Sequence, residues 1–115
     1  MNISKFTQKS VQAVQDLEKV AYEYGNQEIE QEHLLYTLLT QEDSLILKLI
    51  EKMEINKEYF LNTVKNALDA RVKVSGGELR FGQYLNKALV NAEDEAKAMG
   101  DEYVSVEHLF LALLK

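Results

Sequence analysis

The stretch Glu23–Leu39, EYGNQEIEQEHLLYTLL, returns at Ala98–Leu114 as AMGDEYVSVEHLFLALL, a constant 75 positions later. Extended toward the N-terminus, the same register pairs Phe6 with Phe81, Gln8 with Gln83, Ala13 with Ala88 and Glu18 with Glu93. Eleven of the thirty-four columns between 6–39 and 81–114 are identical, and several others exchange like for like, as Val14/Leu89 and Ile29/Val104 do. Repetition of this kind marks stacked copies of one supersecondary unit, each unable to bury its apolar face alone. The expected object is pseudo-symmetric, with its function between the copies rather than within either.

Each copy reads as a helix, a short connector and a second helix. The first helix is expected to begin at Thr7, whose hydroxyl can cap first-turn N–H groups, with Phe6 and Val11 spaced as a hydrophobic staple. Ala13, Val14, Leu17, Ala21 and Tyr24 recur at helical spacing, and Gly25 offers a left-handed stop. The second copy repeats this with Ala88, Leu89, Ala92, Ala96, Met99 and Gly100. Alanines along both stripes let a neighbouring helix approach closely, so both stripes are assigned to the core. The connector carries one inward apolar residue, Ile29 or Val104. The next helix carries Leu34, Leu35, Leu38 and Leu39, or Leu109, Phe110, Leu113 and Leu114, with Ser105 as a candidate N-cap. Glu32 and Glu107 fall in the first turn, where a carboxylate meets the positive helix end. Two more helical stretches follow the first copy, at 44–54 and, capped by Asn56, at 57–71. Residues 72–80, with Ser75-Gly76-Gly77 at the centre, read as a flexible linker.

The fold class expected is all-α: repeat one at 6–71, linker at 72–80 and repeat two at 81–115, incomplete because the last two helices of repeat one have no counterparts. By the repeat alone, about 30–35 further residues are expected. Without them, Val106, Leu109, Phe110, Leu113 and Leu114 are expected to leave an exposed apolar patch or to bury it against a second copy. At roughly 1.5–3 kcal/mol per buried side chain, such a loss is large against a total stability of about 5–15 kcal/mol.

Bulk properties narrow the function. The chain has 115 residues, 46% hydrophobic and 28% charged, with no proline and no cysteine. The absence of cysteine excludes a disulfide framework, a thiolate metal site and a cysteine nucleophile, and fits a cytoplasmic location. The N-terminal Met1-Asn2-Ile3-Ser4-Lys5 has no apolar core of a secretory signal, and no apolar run approaches the ~20 residues of a membrane span. A net charge of −6, with the thirteen basic residues scattered, argues against nucleic acid. No membrane or nucleic-acid partner is expected.

Chemical motifs are sparse. Glu32-His33 and Glu107-His108 are the obvious candidates for a metal or general-base site. Neither forms a His-Glu-x-x-His pattern, and a shared site needs a third ligand that the sequence does not offer. The plainer reading makes both histidines partly buried structural groups in equivalent positions, each hydrogen-bonded to a nearby loop. No nucleophile elbow occurs, and Gly76-Gly77 precedes Glu78, so no phosphate loop is present. Glu93-Asp94-Glu95, with Lys97 nearby, reads as a solvated face.

The opening MNISKFTQKS together with the two quoted stretches resembles the double Clp-N motif, the N-terminal domain of the Clp/Hsp100 AAA+ unfoldases. The likeness covers essentially the whole chain. The segments YGNQEI, GDEYVSVEH and the VSGG linker are more similar to the disaggregase (ClpB) branch than to the ClpC or ClpA branches. The resemblance implies two pseudo-symmetric helical repeats tethered to an ATP-driven hexameric ring. It implies no catalysis and no cofactor within the domain, with ATP and Mg expected in the rest of the parent protein. It implies substrate-binding roles for Thr7, Asp101 and Glu107, which match positions important in that branch, and a clustering of Thr7 with the Asp101–Glu107 loop. Two departures stand out: the missing final helices, and Gly82 where the first copy has Thr7.

The leading functional expectation is a module of a ClpB-like disaggregase that binds exposed hydrophobic segments of unfolded or aggregated polypeptides. The alternative is an adaptor-docking domain of a ClpC- or ClpA-like, protease-linked unfoldase. A small metal-dependent enzyme using His33 and His108 is a third reading. A helical scaffold that dimerises through its truncated face, rather than a monomer, is a fourth.

Overall fold

The computed structural model describes residues 3–74 and 76–115; Met1, Asn2 and Ser75 lie outside the described residues. Among the described residues there are six α-helices: α1 (Gln8–Glu23), α2 (Gln31–Thr40), α3 (Leu45–Lys52), α4 (Lys57–Asp69), α5 (Gln83–Ala98) and α6 (Val106–Leu113). A 3-10 turn at Ile3–Lys5 and two two-residue strands, β1 (Glu28–Ile29) and β2 (Arg80–Phe81), are the other regular elements among the described residues. The all-α expectation holds, and the strands explain how its halves are joined.

Local chemistry sets the helix starts. Ser10 N–H donates to Thr7 Oγ1 at 3.2 Å, Leu47 N–H to Ser44 Oγ at 3.1 Å and Tyr59 N–H to Asn56 Oδ1 at 3.0 Å. Each bond satisfies one of the first-turn donors that a helix leaves without an internal partner. At the other end of α1 and α5, Gly25 (φ 69°) and Gly100 (φ 73°) take the left-handed conformation that stops both helices at the equivalent place.

The repeats are joined by a reciprocal exchange. β1 pairs in parallel with β2, Glu28 with Arg80 and Ile29 with Phe81, while Phe6 bridges Val104. Under the 75-residue offset these are the same contact made twice. Each copy's residue before its first helix pairs with the other copy's residue before its second. The matching bonds run from Gly82 N–H to Ile29 O at 2.8 Å and from Thr7 N–H to Val104 O at 3.0 Å. Each copy thus supplies a backbone partner to the other.

Helix α2 sits at the centre and packs against all five other helices. The core gathers Ala13, Leu17 and Ala21 of α1, Leu34, Leu38 and Leu39 of α2, and Ala88, Leu89 and Ala92 of α5. Ile46 and Ile50 of α3 with Val64 of α4 close it over the first repeat. On α6 the expected bare face is smaller than the repeat pattern suggested. Val106, Leu109 and Phe110 are buried within this chain, because α6 packs on α1, α2, α3 and α5; Leu113 is half-buried, and Leu114 remains 66% exposed.

The linker also departs from expectation. Rather than spanning freely, it is strapped to the end of α1. Val74 N–H donates to Gly25 O at 2.9 Å, Asn26 Nδ2 to Val72 O at 3.0 Å and Lys73 Nζ to Tyr24 O at 2.6 Å. Leu79 packs against the core, and Arg80 already belongs to β2.

Candidate functional site

The seam between repeats holds a groove of about 380 Å³ lined by Thr7, Lys9, Gln41, Asp43, Leu45, Lys48, Ser105, Val106 and Glu107. Three elements build it. The Phe6–Val104 bridge sets the N-terminus of α1 beside that of α6, bringing Thr7 next to Ser105 and Glu107. Buried Ser10 donates its hydroxyl proton to Val104 O at 2.7 Å, which fixes that approach. The turn between α2 and α3 supplies the third wall. It is held to α1 by Gln41 Nε2 donating to Lys9 O at 3.0 Å and by Lys9 Nζ donating to Glu42 O.

The floor and one wall are apolar, through Val106 and the half-exposed Leu45. The rim is charged and mixed in sign. Lys48 pairs with Asp43 at 2.6 Å and holds that exposed carboxyl below the usual carboxylate range. A larger cavity of about 410 Å³ lies over the linker strap, beside Asn26, Arg71, Val72 and Arg80. Its arginines are already committed, Arg71 to Glu32 at 2.5 Å and Arg80 to Glu28 at 3.3 Å. The seam groove is the better candidate because it offers uncovered apolar surface between the copies.

Of the three residues singled out from the sequence, the structure brings Thr7 and Glu107 into this groove and leaves Asp101 outside its lining. Asp101 is 48% exposed, and its Oδ2 lies 2.8 Å from His108 Nε2. Leu45 falls in the helical stretch expected at 44–54 and Val106 in the apolar set of the last helix, with nothing to place either beside Thr7. Nothing in the one-dimensional pattern separates a groove wall from a core contact.

The histidines occupy equivalent environments. Glu30 N–H donates to His33 Nδ1 at 2.9 Å, and Ser105 N–H donates to His108 Nδ1 at 2.9 Å. The opposite nitrogens meet Asn26 Oδ1 at 2.9 Å and Asp101 Oδ2 at 2.8 Å, and residues 26 and 101 are themselves 75 apart. Both nitrogens of each ring are thus engaged, which leaves no lone pair free for a metal. Among the described residues, no three His, Asp or Glu side chains gather as a ligand set. Burial, with Arg71 close by, pushes the His33 pKa down to about 4.

One feature breaks the symmetry. The second copy has Gly82 at the N-cap of α5, and the missing cap comes from the other repeat: Leu85 N–H donates to buried Glu30 Oε1 at 3.4 Å. A Cβ at Gly82 would stand 1.8 Å from that oxygen. Burial raises the Glu30 carboxyl above its ordinary range, with the Leu85 N–H pulling it back. Glu30 therefore occupies at one seam the place that the Thr7 side chain fills at the other.

Two helical copies locked by exchanged bridges, with an open groove lined from both, define a double-repeat helical domain. The chain belongs to the Clp repeat (R) N-terminal domain family, which it matches over residues 5–115. It is 40% identical to the chaperone protein ClpB of Nitratidesulfovibrio vulgaris over 120 aligned residues, covering all of this chain and 14% of that protein. It is also 40% identical to the ClpB of Porphyromonas gingivalis, covering 99% of this chain and 13% of that one. The chain thus spans about one seventh of the length of these relatives. Among solved structures, the Hsp104 N-terminal domain from Candida albicans shares the fold with a TM-score of 0.85 at 21% identity, covering 96% of this chain and 74% of that one. The N-terminal domain of the ClpV1 ATPase from E. coli gives a TM-score of 0.86 at 22% identity, covering 96% of this chain and 68% of that one.

Proposed function

We propose that this domain recognises polypeptides for a ClpB-like disaggregase, taking short exposed hydrophobic segments of misfolded or aggregated chains into the seam groove. The observation that carries the reading is the meeting of Thr7 and Glu107, from opposite repeats, over the apolar surface of Leu45 and Val106. An unfolded segment brings two things a folded surface does not: uncovered apolar side chains and unpaired backbone donors and acceptors. Leu45 and Val106 match the first. The Glu107 carboxylate, with the remaining lone pair of Thr7 Oγ1 beside the one that accepts the Ser10 N–H, matches the unpaired backbone donors. The groove is small and an extended client loses ordering entropy, so affinity is weak and release is easy. In this reading the domain performs no catalysis, and ATP and Mg act in other parts of the parent protein. The 40% identity to ClpB chaperones over the whole chain favours this branch over adaptor docking in a protease-linked unfoldase.

The test is fluorescence anisotropy with a labelled, unstructured decapeptide of Leu, Val, Ser and Gly. Leu45→Ser should abolish binding without unfolding the domain, since Leu45 is 47% exposed. Leu114→Ser, at an exposed apolar residue outside the groove lining, should bind as wild type. Equal loss in both variants, or in neither, defeats the assignment.

A further inference from the structure

We infer that His108 is a positioning residue for the seam groove, and that Asp101 acts on the groove only through it. This inference rests on the groove being the recognition site proposed above.

Asp101 does not line the groove, but a chain of two hydrogen bonds leads from it to the rim. Its Oδ2 lies 2.8 Å from His108 Nε2, and His108 Nδ1 accepts the Ser105 N–H at 2.9 Å. Ser105 Oγ lies 3.0 Å from the same nitrogen. Ser105 is the N-cap of α6, and with Val106 and Glu107 it forms one side of the groove. A backbone N–H can only donate, so Nδ1 must be the bare nitrogen and a neutral imidazole must carry its proton on Nε2. An acceptor at position 101 selects that tautomer. Take the acceptor away and the proton can move to Nδ1, where it would oppose the Ser105 N–H. Only the Ser105 N–H then opposes that move, and wherever it fails two donors meet, the first turn of α6 shifts, and Glu107 shifts with it.

The first repeat contains a built-in control. Asn26 Oδ1, His33 and the Glu30 N–H form the matching relay, with both of its spacings at 2.9 Å. There the asparagine has a second task, because its Nδ2 donates to Val72 O and straps the linker down. The structure shows no such second partner for Asp101, so an amide donor is not required and a half-exposed carboxylate serves. The two relays share one geometry and hold different things: the linker in repeat one, the groove rim in repeat two.

The test compares Asp101→Asn, Asp101→Ala and Asn26→Ala by three readouts. These are the ¹⁵N shifts of the His108 ring, the amide shifts of Ser105–Glu107, and affinity for the labelled decapeptide. Asp101→Asn keeps an acceptor, as Asn26 does, and should keep the tautomer and the affinity. Asp101→Ala should lose the fixed tautomer, move the Ser105–Glu107 amides and weaken binding roughly 5-fold or more while folded. Asn26→Ala should lower the melting temperature and leave the affinity of the folded fraction unchanged. Should Asp101→Ala not fold, Asp101→Ser, too short to reach Nε2, takes its place. Unchanged amides and affinity in Asp101→Ala overturn the inference. So does an Asp101→Asn variant that keeps the tautomer yet binds as poorly as Asp101→Ala, for that would give the carboxylate charge a direct role. If wild type binds no peptide, the recognition reading fails, and the relay stands or falls on the ring tautomer and the Ser105 amide.

Discussion

Placing a methyl group on Gly82 should cost this domain stability through a residue in the opposite repeat. The backbone at Gly82 is extended, with φ −72° and ψ 163°, so alanine fits there without strain. The obstacle is steric: the new Cβ would lie 1.8 Å from Glu30 Oε1, 2.3 Å from Glu30 Cδ and 3.0 Å from Glu28 Oε1. Glu30 has a flexible side chain, so it would swing away rather than hold the full clash. It would then leave the α5 N-terminus uncapped, and loss of a cap costs about 0.5–2 kcal/mol. Chemical or thermal unfolding of Gly82→Ala should therefore show about 1–2 kcal/mol of destabilisation, the upper part from crowding. Glu30→Ser removes the same cap but relieves a buried carboxylate, so its cost should be smaller. Combining Gly82→Thr with Glu30→Ser recreates the pairing of Thr7 with Ser105 at the other seam and should return stability to within about 0.5 kcal/mol of wild type. A neutral Gly82→Ala would refute the cross-repeat cap. So would effects at positions 82 and 30 that simply add, since contacting residues are expected to couple.

Other expectations can be checked on the same protein. Thr7→Ala should cost about 0.5–2 kcal/mol through the lost Ser10 N–H bond, so its peptide affinity must be compared at matched folded fraction. His33 gives a pH signature whose sign follows from its lowered pKa. The unfolded chain takes the proton near pH 6.5 and the folded one only near 4, so stability is full above 6.5 and falls as the pH drops toward 4. The fall attributable to this group is about 2–4 kcal/mol, with Arg71 and Lys73 deepening it and Glu32 opposing it. Glu30 opposes it too, because a raised carboxyl pKa favours the folded state as pH drops. Stability measured from pH 7 to 4 should thus decline, and His33→Gln should flatten the decline. A profile as steep without His33 as with it would rule that group out as the source.

Much of the architecture could be read before any coordinates. The Thr7 and Asn56 caps, the Gly25 and Gly100 stops and the alanine-lined stripes all act within a few residues, so local sequence reports them. The equivalence of His33 and His108 was legible for the same reason, since the 75-residue offset carries their partners Asn26 and Asp101 with them. What escaped were contacts between segments distant in sequence. Two-residue strands are too short to show a period of two, so the Ile29–Phe81 and Phe6–Val104 exchanges left no pattern. The cap on α5 comes from Glu30, 55 residues earlier, and Gly82 alone reads as a poor helix start. The strapped linker was hidden because Gly76-Gly77 signals freedom while the ties come from Gly25 and Asn26. At the groove, Thr7 and Glu107 were picked out by resemblance, whereas Leu45 and Val106 could be joined to them only once α3 was placed beside α6.

The most direct test of the central claim is residue-resolved NMR titration of the domain with the unlabelled Leu, Val, Ser and Gly decapeptide. Saturable shifts should centre on Thr7, Leu45, Val106 and Glu107, with the Ser105 amide following, and little should change around Gly82 and Leu85, where Glu30 already sits. Shifts centred on the linker cavity beside Arg71 and Arg80, or no saturable shifts at the seam, would contradict it.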